Sequence, residues 1–361
     1  MPAQKKILFI LPYPVGHAPS QRFRVEAFFP LLEQHQITFS THSFLSVKAW
    51  NILYKKGSFL QKISAVLKGY VSRYYVLFFK AWRYEYVFIH REAAPLGPPV
   101  FEWLLAKIFR KKYILDYDDA IWIPNTSEEN RLVSWVKAFW KVKYTCKWAY
   151  KVVGGNDYLC EYARRYNSKV IKIPTCVDTI RRHNTLKTAK NTGKRIIGWT
   201  GSHSTLHYLE QLLPALVELQ QDHPFEFLVI SNKAPQLPLA DWRFIPWNEQ
   251  SEVTDLLQMD IGVMPLKSDA WSEGKCGFKL IQYLSLGIPA VASDVGVNNQ
   301  IIQNGVSGYL ATDSQEWVAA LKSLLLDEAL RERMGKAGRA KVLEEYSIQS
   351  ASNKFLSLFA K

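Results

Sequence analysis

No acidic residue lies between Glu33 and Glu85, while Lys48 to Arg83 supplies eight cations. That absence excludes a locally ion-paired surface and leaves a one-signed field. Cysteine is equally scarce: the chain has four, Cys146, Cys160, Cys176 and Cys276. None forms a CxxC pair and no His stands at a zinc-like spacing, so a disulfide framework and a zinc site are excluded and a reducing compartment is expected. No uncharged apolar run reaches the roughly 18 residues of a membrane-spanning helix. The start, MPAQKKILFILPYP, places two lysines before a short apolar run that Pro12 and Pro14 end. It reads as a buried strand rather than a secretory signal. The expectation is a cytoplasmic protein that touches a membrane at most.

What is present is a globular composition, 48% apolar and 22% charged, over 361 residues. A single core stops growing at roughly 250–300 residues, so two domains are expected. The net charge of +14 is segregated: residues 1–180 hold 27 Lys and Arg against 13 Asp and Glu, and residues 181–361 hold 19 against 19. One half therefore meets something anionic: nucleic acid, lipid headgroups or a charged substrate.

Apolar runs at 6–11, 86–90, 113–116, 151–154 and 170–174 read as buried strands, with helical spacing at 21–33, 100–109 and 157–166 between them. A basic, polar stretch at 179–194 reads as a linker. Strand patterns resume at 195–199, 225–231, 244–246, 261–265 and 290–293, with helices at 205–220, 251–258, 278–286, 315–326 and 328–346. Alternation of this kind implies mostly parallel sheets covered by helices on both faces. Ligands of such sheets bind at the carboxyl edge of the strands.

Residues 273–293 read EGKCGFKLIQYLSLGIPAVAS. A glycine-interrupted turn enters a helix near 276–278, and Gly287-Ile288-Pro289 stops it. The helix start offers backbone donors beside Lys275 and Lys279, which suits a diphosphate. The bland alternative is a solvated basic first turn, although lysines there oppose the helix dipole unless an anion is bound.

This segment resembles the donor-binding motif of GT-B glycosyltransferases, in particular the retaining family 4. Gly287, Pro289, Ala290, Ala292 and Ser293 match its tail, and 294–298, Ile301, Gly305, Gly308 and Leu310 match the next loop and strand. Residues 335–339 and Tyr346-Ser347 match its terminal helical region. The resemblance implies an α/β fold of two doubly wound Rossmann-like domains facing each other across a cleft. Residues 1–180 would bind the acceptor, residues 181–346 the nucleotide sugar, and a helix at about 347–361 would pack back onto the first domain. It implies retaining, metal-independent transfer from a nucleotide-diphosphate sugar to a glycan or lipid-linked acceptor in cell-surface polysaccharide assembly. The nucleotide sugar is a co-substrate, and no cofactor is implied.

Two departures from the family pattern stand out. Gln282 replaces the second Glu, which binds the ribose, and the first Glu falls on Gly274, with Glu273 one residue away to take its catalytic place. The first loop of the second half, from Gly198 through Thr200, Gly201 and Ser202 to Thr205, lacks the family's Arg and Lys. Backbone donors and hydroxyls would serve there, with Lys275, Gly277, Phe278 and Lys279 opposite; an ordinary Ser/Thr cap is the alternative. In the first half the resemblance points to Gly16 near the donor phosphate. Arg22, Arg24, His90 and Arg91 are assigned to the acceptor, and Asp118 or Asp119 to orienting its hydroxyl. Asn156 reads as a helix cap. Asp116-x-Asp118 resembles the metal motif of GT-A enzymes, but two α/β units argue against a metal.

Residues 50–83 interleave Trp50, Tyr54, Phe59, Leu67 and Tyr75 with Lys55, Lys56, Lys62, Lys68, Arg73 and Lys80; residues 135–150 repeat the style with Trp135, Trp140 and Trp148. Cationic helices with aromatic belts suit an anionic membrane surface, at the inner face of the membrane. The alternative is packed helices whose lysines solvate the outer face. Nucleic acid ranks lower, since no RNP, KH or helix-turn-helix signature appears. Two other functions compete: an epimerase-type GT-B relative on the same nucleotide site, and a non-enzymatic lipid or nucleic-acid binder, which predicts no donor binding.

Overall fold

The computed structural model describes residues 5–53, 57–124, 136–188 and 193–360. Tyr54, Lys55, Lys56, Trp135 and residues 189–192 of the basic stretch lie outside them. The chain divides into two compact units, residues 1–175 with 351–361, and residues 176–350.

The first unit is a parallel sheet of β1 (Lys6–Leu11), β2 (Thr38–Ser43), β3 (Tyr86–His90), β4 (Lys112–Tyr117), β5 (Lys151–Gly154) and β6 (Val170–Lys172), in the order β2-β1-β3-β4-β5-β6. The central strands are buried along their length, as helices on both faces of a parallel sheet require. Strand β2 has no apolar run because it is the edge, paired only with β1 and largely exposed. The helical spacing at 21–33 resolves into three pieces: Pro19–Arg24, a 3-10 turn Glu26–Phe28, and Phe29–Gln34. Pro30 sits in the first turn of the last piece, where its missing N–H costs nothing.

The long helix Phe59–Phe79 buries only Gly69, Arg73, Val76 and Leu77. Gly69 is needed because the Phe44 ring lies 2.6 Å from where a Cβ would stand. Arg73 is not one of the solvated cations the sequence suggests. It is fully buried and donates to the carbonyls of Leu11, His42 and Ala93, each at 2.9 Å. Burial lowers its pKa to about 9. Residues 351–361 complete this unit: Phe355 stacks on Phe28 with centroids 4.1 Å apart, and Phe359 meets Tyr86 edge-on at 5.7 Å.

The second unit is a parallel sheet of β7 (Arg195–Gly201), β8 (Phe225–Ser231), β9 (Trp242–Pro246), β10 (Ile261–Met264), β11 (Ala290–Ser293) and β12 (Gly308–Ala311), in the order β12-β11-β10-β7-β8-β9. The stretch read as a linker is packed where it is described. Lys187 pairs with Asp260 at 3.0 Å, and Arg339 donates to the His183 carbonyl at 2.7 Å. Helix Phe278–Ser285 ends at Gly287, whose φ of +72° is the left-handed stop expected there. Helix Glu328–Glu345 crosses this point so closely that a Cβ on Gly335 would stand 2.1 Å from the Gly287 carbonyl oxygen.

Candidate functional site

In the second unit the carboxyl ends of β7, β10 and β11 share one edge of the sheet. Helix Phe278–Ser285 starts at Gly277, which takes φ +65° and provides no side-chain cap. A Cβ on Gly277 would meet Ile301 at 2.0 Å, so the turn lies tight against the segment after β11. Two contacts hold this helix to the end of β7. The Tyr283 hydroxyl accepts the Thr200 N–H at 3.0 Å and donates to the Val263 carbonyl of β10 at 3.4 Å. The Lys279 ammonium stands 5.4 Å from the ring of Trp199, and that same ring lies 2.5 Å from where a Gly201 Cβ would be. Lys279, Thr200 and Gly201, distant in sequence, are thus brought together beside a helix N-terminus.

Phe278 opens the helix, and Lys275 lies over the Trp271 ring at 4.9 Å. Glu273 is half-buried; Gly296 of the loop after β11, at φ +56°, is so close that a Cβ there would be 3.2 Å from the Glu273 Cα. Gln282 is buried, and its Nε2 has no hydrogen-bond partner. An orphaned buried amide is destabilising until something accepts from it. Ser202 turns to the Ser204 hydroxyl at 2.8 Å, and the His203 N–H is held by Asn232 at 2.8 Å. Gly198 stands apart: it lies within β7, and the Met259 side chain occupies its Cβ position at 2.3 Å, so this glycine serves core packing.

The first unit gathers its named residues at the ends of β1, β3 and β4. Gly16, at φ +86°, donates its N–H to Glu26 at 2.9 Å, and Gln21 braces the same loop. Arg24, His90 and Asp116 form a buried network. Arg24 pairs with Asp116 and donates to the Ile173 carbonyl, His90 Nδ1 meets Asp116 at 2.8 Å, and His90 Nε2 meets the Ser20 hydroxyl at 2.9 Å. Burial opposes ionisation of Asp116, but Arg24 and His90 outweigh it and hold the carboxyl below its usual range. Arg22 is buried over the Phe23 ring at 5.1 Å. Arg91 is different. It pairs with Asp119 and lies 3.7 Å from Asp118, and all three side chains keep some exposure. Burial disfavours its charge, yet Asp119 and Asp118 raise its pKa further still. Arg91 also takes a left-handed φ of +63°, which is uncommon for a side-chain-bearing residue and lets its N–H reach the Asp116 carbonyl at 2.6 Å.

Residues 181–341 match the family model described as glycosyl transferases group 1. The match falls within the second unit and spans nearly all of it. The whole chain carries the GT-B fold: it superposes on a sucrose-phosphate synthase from Thermosynechococcus elongatus with a TM-score of 0.70 at 15% identity, covering 99% of this chain. The Anabaena protein HepE, solved with UDP and glucose, matches with a TM-score of 0.64 at 15% identity, covering 99% of this chain and all of its own. In sequence, the chain is 28% identical over 136 residues to N-acetyl-alpha-D-glucosaminyl L-malate synthase of Bacillus anthracis, covering 37% of this chain. The chain spans only 34% of that relative's length.

Within the second unit, the sequence assigned no role of their own to two residues. Tyr283 ties helix Phe278–Ser285 to β7, and its ring fills the space over Gly262, where a Cβ would stand 2.4 Å away. Asn298 is fully buried, donates to the Ser293 carbonyl at 3.0 Å, and leaves its Oδ1 without a partner. The small residue at Gly262 was the one visible sign of Tyr283, and it reads equally well as an ordinary strand glycine.

Proposed function

We propose that the protein is a retaining, metal-independent glycosyltransferase that moves a sugar from a nucleotide diphosphate to a glycan or lipid-linked acceptor. Cell-surface polysaccharide assembly at the inner face of the membrane is the setting this reading favours. The observation that carries it is the convergence of Lys279, the Gly277 helix start and the Thr200–Gly201 backbone at one sheet edge. Lys279 and the helix dipole would hold the diphosphate and stabilise its charge as the glycosidic bond breaks. The unpartnered Gln282 amide suits a ribose hydroxyl, donating a neutral hydrogen bond where the family pattern accepts one at a carboxylate. Lys275 would add charge at the diphosphate and Glu273 would lie near the transferred sugar. In the first unit Asp118 and Asp119, oriented by Arg91, would position the acceptor hydroxyl. Metal independence is supported by the fate of the Asp-x-Asp pair: Asp116 is committed to Arg24 and His90. Residues 1–180, which hold the excess cations, would face anionic lipid.

The test is a calorimetric titration of nucleotide sugars. Lys279→Ala is expected to weaken donor binding at least ~10-fold, the loss of one charge-assisted contact, with the fold intact. An unchanged titration would sink the diphosphate assignment.

A further inference from the structure

Helix Phe59–Phe79 is inside out. Its buried stripe is Gly69, Arg73, Val76 and Leu77. Its large apolar side chains point away from the unit: Leu60 is 80% exposed, Leu67 60%, Val71 70% and Phe79 63%. Leu60, Ile63, Leu67, Val71 and Phe78 recur at three-, four- and seven-residue spacing on a single helix face, and Phe79 flanks it. A solvated helix would put polar residues there, as the packed-helix alternative required. An apolar stripe of this size on a monomer marks an interaction surface.

The charges around the stripe indicate what covers it. Lys68, Lys80 and Arg83 are exposed beside it, and the nearest acidic residues in sequence are Glu33 and Glu85. At one end cations sit on aromatic rings, Lys80 over Tyr75 at 5.4 Å and Arg83 over Trp82 at 5.2 Å, and Trp82 is 64% exposed. Aromatic and cationic side chains grouped in this way match the headgroup region of a bilayer. A second copy of the chain fits poorly, because a two-fold contact would oppose cation to cation with no carboxylate on the helix to relieve it. The helix is ~31 Å long at 1.5 Å per residue, but no described helix is apolar enough to cross a membrane.

We propose that helix Phe59–Phe79 lies in the plane of an anionic bilayer surface, with Leu60, Leu67 and Val71 immersed and Lys68, Lys80 and Arg83 at the phosphates. Long basic side chains reach the headgroups while their stems stay in the apolar layer. Arg73, anchored to three backbone carbonyls at the sheet's edge, keeps the opposite face of the helix fixed to the protein. This assignment rests on the membrane-facing reading of residues 1–180 and identifies the element responsible.

The experiment is co-sedimentation with phosphatidylcholine vesicles, with and without phosphatidylglycerol, at low and high salt. It compares the full chain with the triple variant Leu60→Glu, Leu67→Glu, Val71→Glu. These side chains are exposed, so the variant is expected to keep its circular dichroism spectrum and its nucleotide-sugar titration. The full chain is expected to bind anionic vesicles in a salt-sensitive way, and the variant to bind at least ~10-fold less. Equal binding by both proteins would overturn the helix assignment while leaving the membrane reading in place. Failure of the full chain to bind any vesicle would overturn both. A full-chain dimer by light scattering, absent in the variant and without vesicle binding, would assign the face to self-association instead.

Discussion

The side chain of His42 shows how a buried cation sets a neighbour's protonation. Arg73 donates to His42 Nδ1 at 2.7 Å, so the ring carries its proton on Nε2 and donates to the Ser72 hydroxyl at 2.9 Å. Burial, then Arg73 and Lys80, lower the His42 pKa from 6.5 to about 4. The unfolded chain takes up a proton below the ordinary value, and the folded chain resists until about pH 4. The stabilising contribution is therefore complete above pH 6.5 and is lost as pH falls towards 4. Urea unfolding of His42→Gln should show a flatter dependence of stability on pH across that window. A slope identical to the parent's would refute the linkage. Asp116 behaves as the usual carboxylate does: its folded pKa is depressed, so its contribution holds above the unfolded value and disappears only in strong acid.

Among the elements, the contact between helix Glu328–Glu345 and the end of helix Phe278–Ser285 has the least tolerance. Two glycines meet there, Gly335 on one helix and Gly287 closing the other. Gly335→Ala would press a methyl into a carbonyl oxygen that cannot move without shifting the helix carrying Lys279 and Gln282. The expected loss is ~2–3 kcal/mol, read as a lower unfolding midpoint together with weaker nucleotide-sugar binding. A variant that melts and binds like the parent would show that the helices separate freely. The same pair of glycines also shows what was legible in the sequence. Gly287-Ile288-Pro289 announced a helix stop, because the left-handed position and the proline break are local. Gly335 gave no sign of its partner, since a close helix crossing is a long-range fact. Strands β3, β5, β8 and β11 could be read from apolar runs bounded by turns, whereas β2 could not, its edge position leaving Thr38 and Ser40 in water. At the site, Lys279 stood out as a cation beside a helix start, and Gln282 as a departure from a familiar pattern. Arg24 and His90 looked like ligand groups because they follow the first loop and end a strand at the carboxyl edge, whereas the structure buries them in a pairing with Asp116 inside the unit.

For the molecule as a whole, the last residues belong to the first unit rather than to the one they follow. Phe355 and Phe359 are buried against Phe28, Tyr86 and Phe88. Phe355→Ala is expected to destabilise the first unit by ~3–5 kcal/mol, the cost of emptying a fully buried aromatic site. Donor binding in the second unit should persist. Proteolysis that attacks residues 176–350 before residues 1–175 in this variant would contradict that division.

This arrangement also affects the order of events during synthesis. A ribosome delivers residues 1–175 first, yet those residues alone lack the two phenylalanines that close their core. Residues 176–350 are complete as a segment once Ser350 has emerged, while the older segment still waits for 351–361. The usual rule, in which the earlier domain matures first, is inverted here. Any helper that shields the nascent chain would have to guard residues 1–175 longest, with the Phe28 and Phe88 surfaces uncovered until residues 351–361 emerge.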